Sequence, residues 1–541
     1  MMQELSADIV IIGGGLGGVA AALAALRGGR TVVMSEETNW IGGQLTAQAV
    51  PPDEHPWIEQ FGCTRAYRQF RDDVRDYYRR WYPLTPEARA DRTFNPGGGW
   101  VSRLCHEPRV ALAVLQSYLQ PYLAAGRLTL LLEHVPVAGE TDGDHMRSVT
   151  IRELRTGDEK VLLARYFIDA TELGDLLPLA HIEHVTGAES CDETGEPHAV
   201  SGPAQPLNQV CVSHCFALSH HPGEHHVIDR PAAHTFWNRY RIDFMPHGNL
   251  SWRQTHPKAD FWPDLDLAWR EGHATMSERV LFTEDVEGRH YEGLWGFRQI
   301  LDKSRHLPGS FDSNITLVNW PQIDYWLGPL AGVSAVEAAK HREGARQLSL
   351  CFLYWMQTDA PRPDGGHGYP GLKLRGDVVG TRDGLAKQVY IRESRRIRAE
   401  FTVCEQHIAA ENRPHGPAQF DDSVGIGCQR TDLHPSTGGN DFLDISSWPF
   451  QIPLGCLIPI RIKNFLPGAK NIGSTHITNG SYRMHPIEWN IGEAAGALAA
   501  HCIEFGMTPR SVRNREAALR QFQNRLRGEG FELEWPTIHS V

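Results

Sequence analysis

The feature that most restricts how this chain can fold is a glycine cluster close to its start. Residues Asp8-Ile9-Val10-Ile11-Ile12 form a short, β-branched apolar run, and Gly13-Gly14-Gly15-Leu16-Gly17-Gly18 follows at once. An apolar run of that length, bounded by glycine, reads as a buried parallel strand. Val19 to Leu26 is rich in alanine and leucine and reads as a helix; Arg30 to Met34 reads as a second strand ending at Ser35-Glu36. The G-x-G-x-x-G spacing falls on Gly13, Gly15 and Gly18. Gly13 allows the sharp strand-to-helix turn, Gly15 lets the backbone approach a pyrophosphate, and Gly18 lets helix and strand pack closely. Gly17 lies in the same phosphate-facing turn. The helix N-terminus directs its unpaired N–H groups at phosphate charge. Glu36, about 20 residues on, is placed to accept hydrogen bonds from a ribose. Strand, turn, helix, second strand and acid together predict a dinucleotide site.

Further segments narrow the cofactor. After Glu36 the chain reads Trp40-Ile41-Gly42-Gly43-Gln44. Leu128 to Glu133 is strand-like and runs into His134-Val135. Ala164-Arg165-Tyr166-Phe167-Ile168-Asp169-Ala170-Thr171 is an apolar strand ending in Asp-Ala-Thr. Residues 464–500 end in an Ala/Gly-rich helix, with Pro486 suited to its first turn and Gly492 and Gly496 allowing close packing against a ligand or a strand. This set resembles the FAD-dependent oxidoreductases with a glutathione-reductase-type Rossmann fold, over nearly the whole chain. The resemblance implies FAD held by Gly13, Gly15, Gly17, Gly18, Glu36, Gly42, Gly43, Gln44, Val135, Ala170, Thr171, Asn490 and Gly492. It also implies that the last helix points its positive end at flavin N1 and the C2 carbonyl, where reduced flavin is anionic. Thr46 and Gln48 follow Gln44 toward the ring. The family's usual Gly-Asp-Gly-Asp after the Asp-Ala-Thr strand is here Glu172-Leu173-Gly174-Asp175, so the loop departs from the pattern.

The expected fold class is α/β, with a discontinuous Rossmann FAD-binding domain over 1–50, 100–185 and 450–541. Residues 51–99 read as a helical insertion, with an amphipathic helix near Tyr67 to Arg80. Residues 186–449 read as a mixed α+β substrate domain. The net charge of −12 argues against a nucleic-acid partner, because phosphate binding needs a basic face. Arg392, Arg395, Arg396 and Arg398 read as one charged helix face. The ten cysteines are scattered without a CxxC pair, so no metal site is expected and a reducing compartment is. No stretch reaches the roughly 18 apolar residues of a membrane span. No basic leader precedes the first strand, so a cytoplasmic protein without a membrane partner is expected. The 15 tryptophans suit either a core or a flat ligand.

The redox step belongs to the flavin, and the protein supplies orientation and electrostatics. Hydride removal from an alcohol or amine also needs a base for the heteroatom proton, and histidine is best tuned near neutral pH. His485, just before the last helix, is the first candidate and His476 the second; His434 and His55 rank below them. Trp100 and Arg103 are candidates to wall the pocket and hold an anionic substrate, and Trp320 and Tyr325 are further substrate candidates. The leading reading is a dehydrogenase or oxidase acting on a C–OH or C–N bond of a polar small molecule, with O2 or another electron acceptor. The alternatives are a flavin monooxygenase using NAD(P)H and O2, and a flavoprotein acting in RNA modification.

Overall fold

The structure is a computed structural model that describes residues 3–255, 276–278, 280–282 and 293–536. The glycine cluster does connect a strand to a helix. Strand β1 (Gln3–Ile12) leads into α1 (Leu16–Arg27), and the chain returns as β2 (Val32–Glu36). Next comes α2 (Arg65–Trp81), whose Thr64 hydroxyl caps the amide of Tyr67. It carries two buried arginines: Arg71 meets Glu54 and Glu59 at 2.8 and 2.6 Å, and Arg75 meets Glu59 at 2.6 Å. These pairs anchor the 53–59 segment below the site described next.

Helix α3 (Pro108–Ala124) begins on a proline, where the missing N–H has no intrahelical partner to lose. It precedes β3 (Leu128–Leu132), β4 (His134–Asp142), β5 (His145–Glu153) and β6 (Glu159–Asp169). The sheet order is β3-β2-β1-β6-β5-β4, parallel from β3 to β6 and antiparallel beyond. Ile9 to Ile12 have no exposed surface, as strands covered on both faces require.

A second, four-stranded antiparallel sheet follows. It comprises β7 (Phe216–His220), β8 (Gln299–Leu301), β9 (Ile315–Val318) and, after α4 (Ala335–Thr358), β10 (Leu372–Leu374), in the order β8-β9-β7-β10. Helix α4 buries Leu348, Phe352 and Trp355 in one apolar cluster with Phe216, Leu218 and Val318. Trp237, Trp252, Trp295 and Trp320 belong to the same cluster, so this share of the tryptophans builds core. The chain then returns to the first sheet through β11 (Phe465–Pro467), which pairs with the end of β6. It ends in α5 (His476–Tyr482), α6 (His485–Phe505) and shorter helices.

One expectation fails in this region. Residues 391–395 are irregular and Arg396-Ile397 is a two-residue strand pairing with His184-Val185. The four arginines therefore share no helix face. Arg392 and Arg396 are 2% and 0% exposed, and the carboxylates described below hold them there. No helix among the described residues is long and apolar enough to cross a membrane.

Candidate active site

Two glycine loops face each other above the first sheet. Gly13 has φ +96°, a left-handed conformation that favours glycine, and any Cβ there would strike the Ala170 carbonyl. The Gly42 amide donates to the Gly14 carbonyl at 2.8 Å, so the second pair docks on the first. A Cβ on Gly43 would lie 3.0 Å from the Cα of Gly15. Neither loop could come this close with side chains between them.

Glu36 is buried at the end of β2, where its carboxylate accepts from the Gly14 amide and from the Thr38 amide and hydroxyl, each at 2.9 Å. Burial still pushes its pKa up to about 8, although the Thr38 hydrogen bonds oppose the rise. Two ribose hydroxyls would supply donors that favour the ionised form. The Glu133 amide, just before Val135, donates to the Thr38 carbonyl at 3.2 Å, which brings the end of β3 to the Glu36 corner. Ala170 and Thr171 close the floor: the Ala170 amide donates to the Ile12 carbonyl at 2.7 Å, and the Thr171 hydroxyl to Asp169 at 2.7 Å.

Several buried polar atoms around these loops have no partner: Gln48 Nε2, Glu172 Oε1 and His485 Nε2. Glu172 Oε1 lies 3.1 Å from the position a Gly15 Cβ would take. Lys470 offsets this acid, pairing with both Glu172 and Glu488. Open glycine backbone, a buried carboxylate at the end of β2 and unpartnered polar atoms fit a bound dinucleotide. Lys470 and Glu488 escape sequence reading, because nothing local marks their partners some 300 and 470 residues away.

The structure revises the roles of five expected residues. Gly17 donates its amide to Glu488 at 3.3 Å, and a Cβ on it would strike the Gly468 carbonyl. A Cβ on Gly492 would strike the Gly17 carbonyl, and one on Gly496 the Ala21 carbonyl. Gly17 and Gly492 thus let α1 and α6 pack at near-backbone contact, a different task from touching a ligand. Asn490 turns to the Ser423–Gly427 strand, donating to the Val424 carbonyl at 3.3 Å. Gln44 is also engaged: its amide donates to the Arg483 carbonyl at 3.0 Å and to Glu488, and its oxygen accepts from the Tyr390 hydroxyl at 3.2 Å.

His485 is the fifth. Its Nδ1 accepts the Asp53 amide at 3.0 Å, which places the proton of the neutral ring on Nε2. Burial drives its pKa down to about 3, against the pull of Asp53. The ring is a neutral hydrogen-bond donor with its lone pair already used, which is the wrong state for a base. Asp53 in turn is paired with Arg298 at 2.7 Å; burial raises its pKa, and Arg298 more than reverses that.

Two histidines have the opposite geometry. His434 Nδ1 meets Asp324 at 2.5 Å, and Asp324 meets Arg392 at 3.0 Å. His476 Nδ1 meets Glu393 at 2.9 Å, and Glu393 pairs with Arg396. In each, burial lowers the imidazole pKa but the carboxylate more than restores it, so both are raised. Both line one cavity of about 190 Å³, together with Glu189, Glu196, Ser436 and Asn440. Burial raises the pKa of Glu196 to about 7. From His434 the layer continues through Asp432 at 3.7 Å to Arg483 at 3.5 Å, and from Arg483 to the Tyr390 hydroxyl at 3.3 Å. Cys211, Asp324 and His434 stand close enough to hold a metal ion, but the Arg392 guanidinium already sits on Asp324 and on the Cys211 carbonyl.

The expected substrate residues separate. Trp100 and Trp320 flank Phe297 at 4.6 and 5.0 Å between ring centres, beside Arg298. Arg103 is exposed, and its carbonyl accepts from Arg75. Tyr325 is a core residue whose hydroxyl meets His341 at 2.9 Å. His55 contacts the Gly62 carbonyl at 3.1 Å, and burial lowers its pKa to about 4.

Comparison with known proteins gives the family. The model for "FAD dependent oxidoreductase" matches residues 8–526. No curated protein matches the chain. Among solved structures, the flavin-dependent monooxygenase PieE, in complex with FAD and substrate, is 18% identical over 40% of this chain and 35% of its own, with TM-score 0.25. L-proline dehydrogenase from P. horikoshii is 15% identical over 35% and 24%, with TM-score 0.18. A geranylgeranyl bacteriochlorophyll reductase-like protein from Thermoplasma acidophilum is 10% identical over 98% and 85%, with TM-score 0.30. The chain thus spans only about a quarter to a third of the first two relatives named here, and these likenesses are distant. The family match over residues 8–526, with the paired glycine loops and the buried Glu36 beside them, establishes that this chain belongs to the FAD-dependent oxidoreductase family and uses FAD as its cofactor.

Proposed function

We propose that this protein is a dehydrogenase or oxidase that takes a hydride from a C–OH or C–N bond of a polar small molecule, with the Asp324–His434 pair handling the substrate proton. FAD, when bound, supplies the hydride acceptor. The observation that carries the reading is the orientation of His434. Its Nδ1 meets Asp324, and its Nε2 stands 3.7 Å from the Asp432 carboxylate, beyond hydrogen-bond distance, while the residue lines the cavity. A base needs one nitrogen fixed by a carboxylate and the other not held in a hydrogen bond, so that it can take the proton. Asp324 also favours the imidazolium that forms. His476 with Glu393 repeats the arrangement at the other end of α5. His434 is preferred because Asp432 links it to Arg483, the residue two before α6.

The test is anaerobic addition of alcohols, amines and NAD(P)H to the holoenzyme, watching the flavin band. One alcohol or amine should bleach it. His434→Gln should retain flavin and slow that bleaching at least ~10²-fold, as for loss of a general base. An unchanged rate removes His434 from the mechanism, and bleaching by NAD(P)H alone replaces this reading with the monooxygenase one.

A further inference from the structure

Arg483 stands out among the buried cations of this layer because its partners are distant. It is 3% exposed. Its nearest acceptors are the Asp432 carbonyl at 3.2 Å, the Tyr390 hydroxyl at 3.3 Å and the Asp432 carboxylate at 3.5 Å. Its Nε has no partner. The neighbouring arginines are held more closely: Arg298 by Asp53 at 2.7 Å, and Arg392 by the Ser213 hydroxyl at 2.9 Å and Asp324 at 3.0 Å. Even so, their Nε atoms are also unpartnered. Arg392 stacks on Tyr390 at 5.2 Å, while Arg483 reaches the hydroxyl of the same ring. Once His434 has taken the substrate proton, three cations (Arg392, Arg483, His434) meet two carboxylates (Asp324, Asp432). One positive charge is left over, in a region where an unpaired buried charge is costly.

We propose that the substrate is a carboxylate whose anionic group docks on Arg483, between Tyr390 and Asp432. This deepens the redox reading and rests on it for the word substrate, but the docking itself does not require turnover. A guanidinium with a free N–H edge suits the two oxygens of a carboxylate, and a charge-assisted pair of that kind is roughly twice as strong as a neutral hydrogen bond. The orientation follows: with the acid group on Arg483, the rest of the molecule extends toward His434, which Asp432 bridges to the same arginine.

The experiment titrates the oxidised holoenzyme with acetate against acetamide and benzoate against benzamide, reading the perturbation of the flavin absorption band. At least one acid should bind about tenfold or more tightly than its amide, a difference of about 1.4 kcal/mol. Arg483→Gln should abolish the preference. Asp432→Asn, which removes the competing carboxylate, should strengthen acid binding several-fold, and this variant serves if Arg483→Gln does not fold. Equal binding of acid and amide, or no perturbation by any of them, overturns the proposal. So does inorganic phosphate binding more tightly than either acid. So does an Arg483→Gln enzyme that keeps its acid preference while its flavin potential falls, since Arg483 would then serve the reduced flavin. No reduction is involved, so acid binding without bleaching by any alcohol or amine defeats only the redox reading.

Discussion

The two ends of α6 are built on opposite rules. From Gly492 onward the helix is mostly small and apolar, and it lies on α1 so closely that two of its glycines touch backbone carbonyls. Its first turn, and the two residues before it, bury Arg483, His485 and Glu488, with Lys470 and Gln44 against them. At the first end the buried Glu493 is matched by Arg27, Thr64 and Trp489, although both ring nitrogens of His501 lack a partner. The second leaves donors and acceptors unmatched, and a folded protein tolerates that where a ligand supplies the partners. The difference separates residues that make the fold from residues that wait for the cofactor and substrate.

Substitutions at two glycines test that separation most strongly. Gly492→Val would drive a side chain into the Gly17 carbonyl, and backbone can yield little there. We expect a cost above ~3 kcal/mol and a protein that is insoluble or lacks native circular dichroism. Gly15→Ala meets only the tip of Glu172, at 3.1 Å, which can rotate. It should fold with near-native circular dichroism yet purify without flavin absorbance, because the methyl occupies the approach to the pyrophosphate. A colourless, unfolded Gly15→Ala would erase the distinction between the two kinds of glycine.

The next effect is one of pH. His485 has an ordinary pKa of 6.5 and is held down to about 3 by burial. A histidine lowered on folding contributes stability that is complete above about pH 6.5 and is lost as pH falls toward 3, because the unfolded chain then binds the proton first. The shift corresponds to about 5 kcal/mol. His485→Gln keeps an acceptor for the Asp53 amide and cannot titrate. The difference in melting temperature between the wild type and this variant should therefore change with pH between 3 and 6.5 and be flat above that. The variant should also reduce flavin within about tenfold of wild type at neutral pH, since a ring whose lone pair is occupied contributes no base. A ~10²-fold loss would restore His485 to the mechanism.

Much of this was legible in the sequence wherever the partners were neighbours. The strand, turn and helix over residues 8–27, the acid at Glu36 and the Ala/Gly-rich helix with Pro486 in its first turn are local patterns, and the structure contains each of them. The polar layer was not legible. Asp324 and His434 are 110 residues apart, and Glu393 and His476 are 83 apart, so no window of sequence holds both members of either pair. The arginines at 392–398 illustrate the error that follows: without their carboxylates they read as a solvated helix face, whereas two of them are among the most buried cations of the chain. His485 illustrates a subtler one. Its position beside α6 was readable, but its role turns on which nitrogen the Asp53 amide occupies, and that depends on how residues 432 apart meet.

The smallest predicted effect is at Arg103. Sequence position made it the candidate to hold an anion, but its side chain is exposed and only its carbonyl is used within the protein. A solvated arginine spends its charge on water and counterions, whereas the buried Arg483 has neither, and this is why the two should differ as anion sites. Arg103→Ala should shift stability by no more than about 0.5 kcal/mol and leave the preference for acetate or benzoate over the matching amide unchanged. If the preference disappears in Arg103→Ala and persists in Arg483→Gln, the anion is bound on the outer rim beside Trp100, and the unpartnered edge of Arg483 belongs to the flavin alone.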